Sequence, residues 1–368
     1  MPSGPLDILE NLVKNAPCWT ELRYHDKKSQ AVAVEKGRIE AASSTRRAGV
    51  GVRVLEGGAF GFASTERCEP AAIRAALDSA RVSARAAAMR RKEKIGSLPM
   101  TPLARGTFEE RDLAEVRDRP LEEKVNLALR IEELTRKAAA SIQTASCRYT
   151  EIYEEKAIAT SDGGAAVTRL VRPEFRVSAV AGQGQNMAWG YEGIGVTGGW
   201  NCLFRDSTAE ALSAKVAKRA VDLSGAQAPR GGPATVILSP SIVGLLAHEA
   251  IGHTVEADFV DAGSVAKGRI GSRVASDLVT LCDSGRSELF DGAGGTLSVD
   301  DEGVLTRNTV IIENGYLKSY LHNRESAARH GVEPTGSARA WEYSDQPLIR
   351  MRNTYIRPGT MTLDEMIG

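Results

Sequence analysis

The stretch Gln30-Ala-Val-Ala-Val-Glu-Lys-Gly-Arg-Ile-Glu40 predicts the first hairpin of an antiparallel sheet. Apolar and polar residues alternate before the turn Lys36-Gly37, as they do in a strand with one buried face. A second hairpin follows, in which residues 51–55 and 59–63 flank a turn at Gly57-Gly58. The sequence therefore predicts paired antiparallel strands in the N-terminal part.

Predicted helices flank these strands. A helix should begin at Pro70, where the missing N–H costs no hydrogen bond, and its apolar residues recur at helical spacing to about residue 90. A second helix over residues 120–140, three strand-like runs across 147–182 and a helix over 208–223 repeat this order. We therefore expect an α+β fold. The repeated order hints at two similar halves, although no repeat is visible in the sequence itself.

Two breaks divide the chain into three parts. Residues 91–119 mix charges with proline and glycine and are typical of a linker, and Pro229-Arg-Gly-Gly-Pro233 is a second boundary. We expect an N-terminal α+β lobe over residues 1–95, a central α+β lobe over 96–228 and a C-terminal domain over 229–368.

The C-terminal part begins with an apolar run at residues 234–238, which predicts a short buried strand. Ser239-Pro240 is typical of a helix start, and this helix should extend to about residue 257. Further on, Asn314-Gly315 lies between two apolar runs and predicts another hairpin.

The composition excludes some classes of protein. The 368 residues include 47 basic and 47 acidic side chains, whereas a nucleic-acid-binding protein has a basic excess. No run approaches the roughly 18 apolar residues of a transmembrane helix, and residues 1–20 lack the basic start and apolar run of a signal peptide. The five cysteines form no C-x-x-C pair and indicate reduced thiols. We expect a cytoplasmic protein with no nucleic-acid and no membrane partner.

Two of the five histidines lie in His248-Glu249-Ala250-Ile251-Gly252-His253. In the zinc-protease pattern H-E-x-x-H the two imidazoles are about 40° apart around the helix, but the extra residue here makes this about 140°. One π-helical bulge would absorb the extra residue, and Gly252 would lower the cost of that distortion. A shared metal therefore requires a bent helix.

The chemistry of this motif suggests a division of roles. Neutral imidazoles of His248 and His253 would bind Zn²⁺, which lowers the pKa of a bound water towards neutrality. Glu249 would take the proton of that water and pass it to the leaving amine. Glu256 could be a third ligand or could orient an imidazole. The alternative, two ordinary histidines beside a helix-start acid, stays open because the spacing is non-standard.

Other candidate residues each have two interpretations. His322 and His330 could approach the metal or be ordinary polar histidines, and Cys282 could be a thiolate ligand or a buried structural cysteine. The acidic run Asp300-Asp301-Glu302-Gly303 could bind a cation or form a solvated turn. Gly193-x-Gly195-x-x-Gly198 matches a dinucleotide fingerprint, but the residues after it do not open a helix, which favours a glycine-rich loop.

Several stretches resemble the TldD/PmbA family of metallopeptidases, also described as modulators of DNA gyrase. The similarity runs from residues 49–54 and 61–64 to residues 246–253, 317–327 and 350–355. Because both histidines and the glutamate are present, the chain is similar to the catalytic TldD subunit and differs from the PmbA (TldE) partner, which lacks the intact motif.

The resemblance implies a zinc-dependent peptidase in which His248 and His253 bind the metal and Glu249 is the catalytic acid/base. It implies an N-terminal helix-and-antiparallel-sheet part followed by a β-rich C-terminal part that carries the motif helix. Family members work in the cytoplasm as TldD–TldE heterodimers and degrade unfolded peptides, and some remove leader peptides. The implied partners are a TldE-like subunit, or a second copy in a homodimer, and an unfolded peptide.

One departure from the family concerns the third zinc ligand, a cysteine close to the family's C-terminus. None of the five cysteines stands at that position, and the chain ends at residue 368 within what looks like a starting helix. We therefore expect the C-terminal domain to be truncated, the site to be completed from elsewhere, or the site to be inactive. The alternative function is a non-catalytic interaction subunit with an incomplete metal site. Direct binding to gyrase or DNA is disfavoured by the zero net charge.

Overall fold

A computed structural model describes residues 4–184 and 186–367 and has the predicted α+β organisation. Its N-terminal part is a seven-stranded sheet with helices on one face. The strands are β1 (Trp19–Glu35), β2 (Arg38–Glu56), β3 (Ala59–Thr65), β4 (Arg105–Glu109), β5 (Ile142–Thr160), β6 (Ala165–Gln183) and β7 (Asn186–Gly195). The helices are α1 (Pro5–Val13), α2 (Pro70–Arg90), α3 (Leu113–Arg117), α4 (Leu121–Lys137), α5 (Trp200–Leu203) and α6 (Ala209–Ser224).

One continuous sheet contains both the first three strands, β1–β3, and the later four, β4–β7. Its order is β3-β2-β1-β5-β6, and the outer edge of β6 is shared by β4, which is parallel to it, and β7, which is antiparallel. In the centre of the sheet β1 pairs with β5 in antiparallel orientation, from Glu21↔Thr160 to Glu35↔Ser146. This pairing joins the first three strands to the later ones in a single layer.

Two similar halves make up this sheet, as the sequence hinted. Each half runs helix, three strands, helix: α1-β1-β2-β3-α2 and then α4-β5-β6-β7-α6. In each half a glycine of the third strand lies directly under the last helix. A Cβ on Gly61 would lie 2.0 Å from the backbone oxygen of Ala80, and a Cβ on Gly190 would lie 2.4 Å from that of Val216. Close helix–strand contact over glycine is therefore common to both halves.

The predicted hairpins and long helices of this part are confirmed, with three corrections. Gly193 and Gly195 lie in β7 instead of a glycine-rich loop, and the residues after Gly199, expected not to open a helix, form the short α5. Residues 91–119, expected to be a linker, contain β4 and α3. The three strand-like runs expected across 147–182 are two long strands, β5 and β6. Pro173 does not interrupt β6, because it lies between the segments that pair with β4 and β7, and its carbonyl accepts a hydrogen bond from Val196. Proline is tolerated at such an unpaired edge position.

The C-terminal part is built from smaller antiparallel sheets and short helices. One sheet has the order β10-β9-β8-β13, and β11 pairs with β12. The strands are β8 (Leu281–Ser284), β9 (Asn308–Glu313), β10 (Tyr316–Leu317), β11 (Ala338–Arg339), β12 (Leu348–Ile349) and β13 (Asn353–Ile356). The helices are α7 (Pro240–Leu246), α8 (Ala257–Asp261), α9 (Arg324–His330) and α10 (Leu363–Ile367).

Two predictions for this part have opposite outcomes. The Asn-Gly hairpin is confirmed, with Asn314 and Gly315 at positive φ values of 47° and 83° between β9 and β10. The short buried strand at residues 234–238 is wrong: this segment has no regular structure, and Val236 is 68% exposed. No strand of the described residues pairs with it, so the apolar run has nothing to pack against. None of the helices in residues 4–184 and 186–367 has the length and apolarity needed to span a membrane.

The two faces of the N-terminal sheet differ in character. One face packs valines and alanines against α1, α2, α4 and α6. The other face carries charged side chains at alternate positions of β1, namely Glu21, Arg23, His25 and Lys27, and all of them are buried. Arg23 and Lys27 donate to carbonyls of a C-terminal loop, and Arg53 of β2 pairs with Glu302, so the sheet supports the region that contains the histidine motif.

Candidate metal centre

The histidine motif lies on a helix that changes type within it. After the N-cap Ser239, α7 runs as an α-helix to Leu246, continues as a π-helical turn over Ala247–Gly252, and ends in a 3₁₀ turn over His253–Val255. The backbone N–H of His253 donates to the carbonyl of His248, five residues earlier. This is the hydrogen bond that defines a π-turn. The bent helix that a shared metal requires is therefore present.

The π-turn brings the two imidazoles to one side of the helix. Their ring centroids lie 4.9 Å apart, with the ring planes at 86° to each other. Both histidines line an open cleft of about 500 Å³. On an ideal α-helix the two residues would lie about 140° apart. The wider turn thus produces a convergent pair of imidazoles, which is a donor type that zinc prefers.

Gly252 has a different role from the one expected. Its φ of −53° is ordinary helical geometry, so the backbone there does not need glycine. A Cβ on Gly252, however, would lie 1.8 Å from Sδ of Met351, a buried residue that also lines the cleft. The glycine is needed because the turn packs closely against Met351.

Glu256 is completely buried beside the second histidine. Its Oε1 lies 3.3 Å from Nδ1 of His253, and Arg350 donates to its Oε2 at 3.4 Å. Burial raises the pKa of Glu256 to about 7, although Arg350 opposes the rise. A carboxylate facing Nδ1 leaves Nε2 of His253 free to point elsewhere. Within the described residues neither His253 Nδ1 nor Glu256 Oε1 has a hydrogen-bond partner, so the 3.3 Å approach leaves both interpretations of Glu256 open.

Glu249 lies on the same π-turn but is exposed, and it is not among the residues that line the cleft. The motif therefore contributes His248 and His253 to the cleft wall and Glu249 to the neighbouring surface. His248, His253 and Glu256 all line the cleft, whereas Glu249 is exposed on the neighbouring surface.

The two imidazoles fit two positions of a zinc site, but a catalytic zinc has three protein ligands. Within residues 4–184 and 186–367, no cluster of three or more histidine, cysteine, aspartate or glutamate side chains has the arrangement of a metal site. Cys282 is buried in β8, where its burial raises the thiol pKa, and it behaves as the structural cysteine of the two alternatives.

His322 and His330 form a separate group. Their ring centroids lie 5.1 Å apart, His330 Nε2 lies 2.8 Å from Asp261 Oδ1, and His322 Nδ1 lies 3.1 Å from Ser326 Oγ. Burial, together with the neighbouring His330, lowers the pKa of His322 to about 4. Their contacts are thus with each other and with α8 and α9, which favours the interpretation as structural histidines.

The acidic run at residues 300–303 follows neither expectation, because its carboxylates are buried in ion pairs and hydrogen bonds. Asp300 accepts hydrogen bonds from the backbone N–H groups of Glu302 and Val304, and Asp301 binds Nζ of Lys156 at 2.8 Å. Glu302 pairs with Arg53. The run joins the C-terminal part to the charged face of the N-terminal sheet.

Sequence reasoning missed the other wall of the cleft. It is formed by the segment between β11 and β12, which carries Trp341, and by Arg339 and Arg350. The N-terminal sheet holds this segment: Arg23 Nη2 donates to the carbonyls of Glu342 and Asp345 at 3.1 and 2.7 Å. One sequence signal could have indicated that another part of the chain covers this face of the sheet. Charged residues occupy alternate positions at the start of β1, and they are buried by the C-terminal part instead of facing solvent.

Models of three domains of one family match most of the chain. The PmbA/TldA metallopeptidase domain 1 matches residues 20–84, the central domain matches 114–224, and the C-terminal domain matches 231–368.

Relatives named metalloproteases match over most of the chain. A metalloprotease of Methanothermobacter thermautotrophicus is 30% identical over 95% of this chain and 74% of its own length. One of Methanocaldococcus jannaschii is 31% identical over 98% of this chain and 78% of its own length. A zinc metalloprotease TldD homolog of Saccharolobus solfataricus is 40% identical over 42% of this chain and 34% of its own length.

Solved structures share the fold over nearly the whole chain. A protein of Thermotoga maritima described as a modulator of DNA gyrase has a TM-score of 0.80 at 20% identity, covering 99% of this chain and 79% of that one. TldE of Thermococcus kodakarensis has a TM-score of 0.76 at 19% identity, covering 99% and 80%. From the three domain matches and the relatives at 30% identity or above, the chain belongs to the PmbA/TldD metallopeptidase family.

Proposed function

We propose that the chain is a zinc-dependent peptidase subunit that hydrolyses peptide bonds in unfolded or leader peptides. His248 and His253 would hold the metal, and Glu249 would be the acid/base. The observation that carries the proposal is the π-turn, which places two imidazoles 4.9 Å apart despite a spacing that would separate them on an α-helix. A π-helical turn of this kind occurs frequently at functional sites.

The residues of the site would have distinct roles. A bound zinc ion supplies Lewis-acid chemistry, because it polarises a carbonyl and makes water more acidic. Glu256 would orient His253 by accepting a hydrogen bond from Nδ1, which lies 3.3 Å from its Oε1, so that Nε2 is the atom available to a ligand. Glu249 would accept a proton at its carboxylate from the attacking water and deliver it to the leaving amine. For this, the Glu249 side chain would have to turn from its exposed position into the cleft.

The form of the cleft supports a peptide substrate. It is open to solvent and is lined by Trp341 and Leu348, which are 65% and 47% exposed, together with charged side chains. Exposed apolar side chains beside polar groups suit a chain in an extended, unfolded state.

We further propose that the subunit works in the cytoplasm with a TldE-like partner, or with a second copy of itself. The structural likeness to a TldE supports a family of complex subunits. The need for a further metal ligand, beyond the two imidazoles of the described residues, also favours an additional contribution to the site.

The second candidate function is that of a non-catalytic interaction subunit. Two observations favour it: the described residues offer two metal ligands instead of three, and Glu249 lies outside the cleft. In that case the fold and half of the metal site would be retained for binding a partner.

One experiment separates the two functions. The protein, alone and with a TldE-like partner, would be analysed for zinc and assayed on a quenched fluorescent unfolded peptide. We expect Glu249→Gln to reduce kcat by about 10²- to 10⁴-fold while zinc content is unchanged. Glu66→Gln, an exposed glutamate outside the cleft, is the matched control. Absence of zinc in every sample, or full activity of Glu249→Gln, would exclude the peptidase.

A further inference from the structure

A second cavity of about 410 Å³ lies beside the histidine cleft, on the charged face of the N-terminal sheet. The two spaces share the wall formed by Arg339, Ala340 and Trp341. The two spaces therefore adjoin at Trp341, a side chain that is 65% exposed. The floor of the cavity is formed by β1, β5 and β6, which are remote from the histidine motif in sequence.

Most charges in this cavity are already paired. Its three lining carboxylates each lie within an ion pair, and so do two of its lining cations. These pairs are Glu151–Lys124 at 2.8 Å, Glu154–Arg172 at 2.9 Å, Glu174–Arg176 at 2.7 Å and Lys156–Asp301 at 2.8 Å. Paired charges have little attraction left for a ligand.

Lys27 and Arg339 are the exceptions. Lys27 is 6% exposed, its Nζ donates to the carbonyl of Trp341 at 3.3 Å, and it lies 3.1 Å from the centroid of the Trp341 ring. Arg339 donates to the carbonyl of Met351 at 3.3 Å. In the part of the chain that the structure describes, neither forms an ion pair with a carboxylate.

A buried cation without a counter-charge is unfavourable, because carbonyl contacts replace only part of its lost hydration. Burial accordingly lowers the pKa of Lys27. An anion placed between Lys27 and Arg339 would restore the missing partner through charge-assisted hydrogen bonds. Arg339 lines both the cleft and the cavity, and Lys27 contacts Trp341 at the wall that the two share.

We propose that this second cavity is a carboxylate-binding subsite of the cleft, in which Lys27 and Arg339 bind an acidic side chain or the C-terminal carboxylate of a peptide. Trp341 forms the wall between this subsite and the histidines. The inference rests on the proposed function for the identity of the ligand as a peptide. It narrows the substrate class to peptides with a carboxylate on one side of the cleaved bond.

A purely structural role for Lys27 makes a different prediction. If Lys27 only fixed Trp341 through its cation–π contact, its loss would affect all peptides equally. The readout must therefore be a ratio between two peptides, which a general loosening of Trp341 would not change.

The test uses quenched fluorescent peptides of one unstructured sequence, each amidated at the C-terminus. A Glu, or its isostere Gln, is placed in turn at each position on either side of the cleaved bond. A third peptide carries Gln and a free C-terminus, so that the side chain and the chain terminus are tested separately. We expect kcat/KM to be about tenfold higher for one carboxylate peptide than for its neutral counterpart.

Lys27→Met and Arg339→Gln should each bring this ratio close to one, and Lys27→Arg should restore it. Lys28→Met is the matched control, because Lys28 is the next residue of β1, is exposed and lies on the other face of the sheet. It should leave the ratio unchanged. Equal rates for all peptides in the wild type, or a ratio that survives both Lys27→Met and Arg339→Gln, would overturn the subsite.

Direct binding separates this inference from the proposed function. Fluorescence anisotropy of the labelled peptides with Glu249→Gln measures affinity without turnover. If no peptide is cleaved but the carboxylate peptide still binds about tenfold more tightly, the subsite stands and the peptidase function fails. If peptides are cleaved and bound without discrimination, the peptidase function stands and the subsite fails.

Discussion

The two faces of the N-terminal sheet are stabilised by different interactions. On one face, valines and alanines pack against four helices in two apolar clusters. On the other face, Glu21, Arg23, His25 and Lys27 lie at alternate positions of β1, each at most 6% exposed, against the C-terminal part. Apolar contacts depend on shape and area, whereas a buried charge needs a particular partner. The charged face therefore fixes the position of the C-terminal part and of the cleft that it carries.

Arg53 is the centre of the charged face. It is 1% exposed, pairs with Glu302, and lies 3.8 Å from Glu21 and 3.5 Å from Glu325. Two of these three carboxylates belong to the C-terminal part. One guanidinium thus compensates several buried carboxylates from both parts of the chain.

The largest expected effect comes from removing that guanidinium. Arg53→Met should lower the free energy of unfolding by about 4 kcal/mol, because Glu21 and Glu302 would be left buried without their cation. The measurement is urea unfolding at neutral pH. Arg176→Met is the matched control, since Arg176 lies on the same face but pairs with Glu174 at an exposed position. It should change stability by less than about 1 kcal/mol. Equal effects of the two substitutions would show that burial of the Arg53 ion pairs does not increase their contribution to stability.

The helix-covered face should be sensitive to volume instead of charge. Gly61→Ala and Gly190→Ala should each destabilise the protein by about 3 kcal/mol, because each Cβ would meet the backbone of the overlying helix. Gly96→Ala is the control, as a Cβ there meets no atom within 4 Å. Similar losses at Gly61 and Gly190 would support equivalent halves. A large loss at one and none at the other would show that the halves differ in packing.

The charged face should also make stability depend on pH through Glu21. Burial raises the pKa of Glu21 to about 7, and the neighbouring Glu302 adds to this while Arg53 opposes it. A raised carboxyl pKa means that the folded state holds the proton more tightly than the unfolded state. The contribution of Glu21 is therefore most favourable below its unfolded pKa, 4.5, and is lost as the pH rises through about 7.

Glu21→Gln should remove this dependence. We expect it to stabilise the protein by about 2 kcal/mol at pH 8 and to have little effect at pH 5, as judged by unfolding in urea at both values. The exposed Glu66→Gln should show no such difference between the two pH values. A stabilisation that is larger at pH 5 than at pH 8 would have the wrong sign for this mechanism.

The same contrast explains how much of the fold could be predicted. On the helix-covered face, apolar periodicity predicted α2 with its observed bounds, Pro70–Arg90, and both hairpins around β2. The first half of β1 was not predicted, because charged residues occupy the positions that face the C-terminal part. Their partners are remote: Arg23 donates to the carbonyl of Asp345, which is 322 residues away in the chain. Local patterns carry no information about such pairs.

The candidate site divides in the same way. The π-turn could be predicted, because two histidines five residues apart cannot share a metal on an α-helix. The cleft wall could not be predicted, because Arg339 and Trp341 are distant from the histidines in sequence and line the same cleft only after folding. The strand expected at residues 234–238 failed for a related reason: an apolar run predicts burial but does not specify what covers it.

The smallest expected change in stability is at Arg23, which links the charged face to the cleft. Its Nη2 donates to the carbonyls of Glu342 and Asp345, while its Nε and Nη1 have no hydrogen-bond partner within the described residues. Arg23→Met would lose two hydrogen bonds and remove two unsatisfied buried groups, so the free energy of unfolding should change by less than about 1 kcal/mol.

The segment at residues 340–347 should nevertheless become more mobile in Arg23→Met, because both of these anchors are lost. Hydrogen exchange of its amides should accelerate, and KM for a peptide that contacts Trp341 should rise with kcat little changed. Arg46→Met is the control, since Arg46 pairs with Asp26 on the neighbouring strand. Unchanged exchange at residues 340–347 in Arg23→Met would show that the charged face does not hold the cleft wall. The contrast between the faces would then concern stability alone.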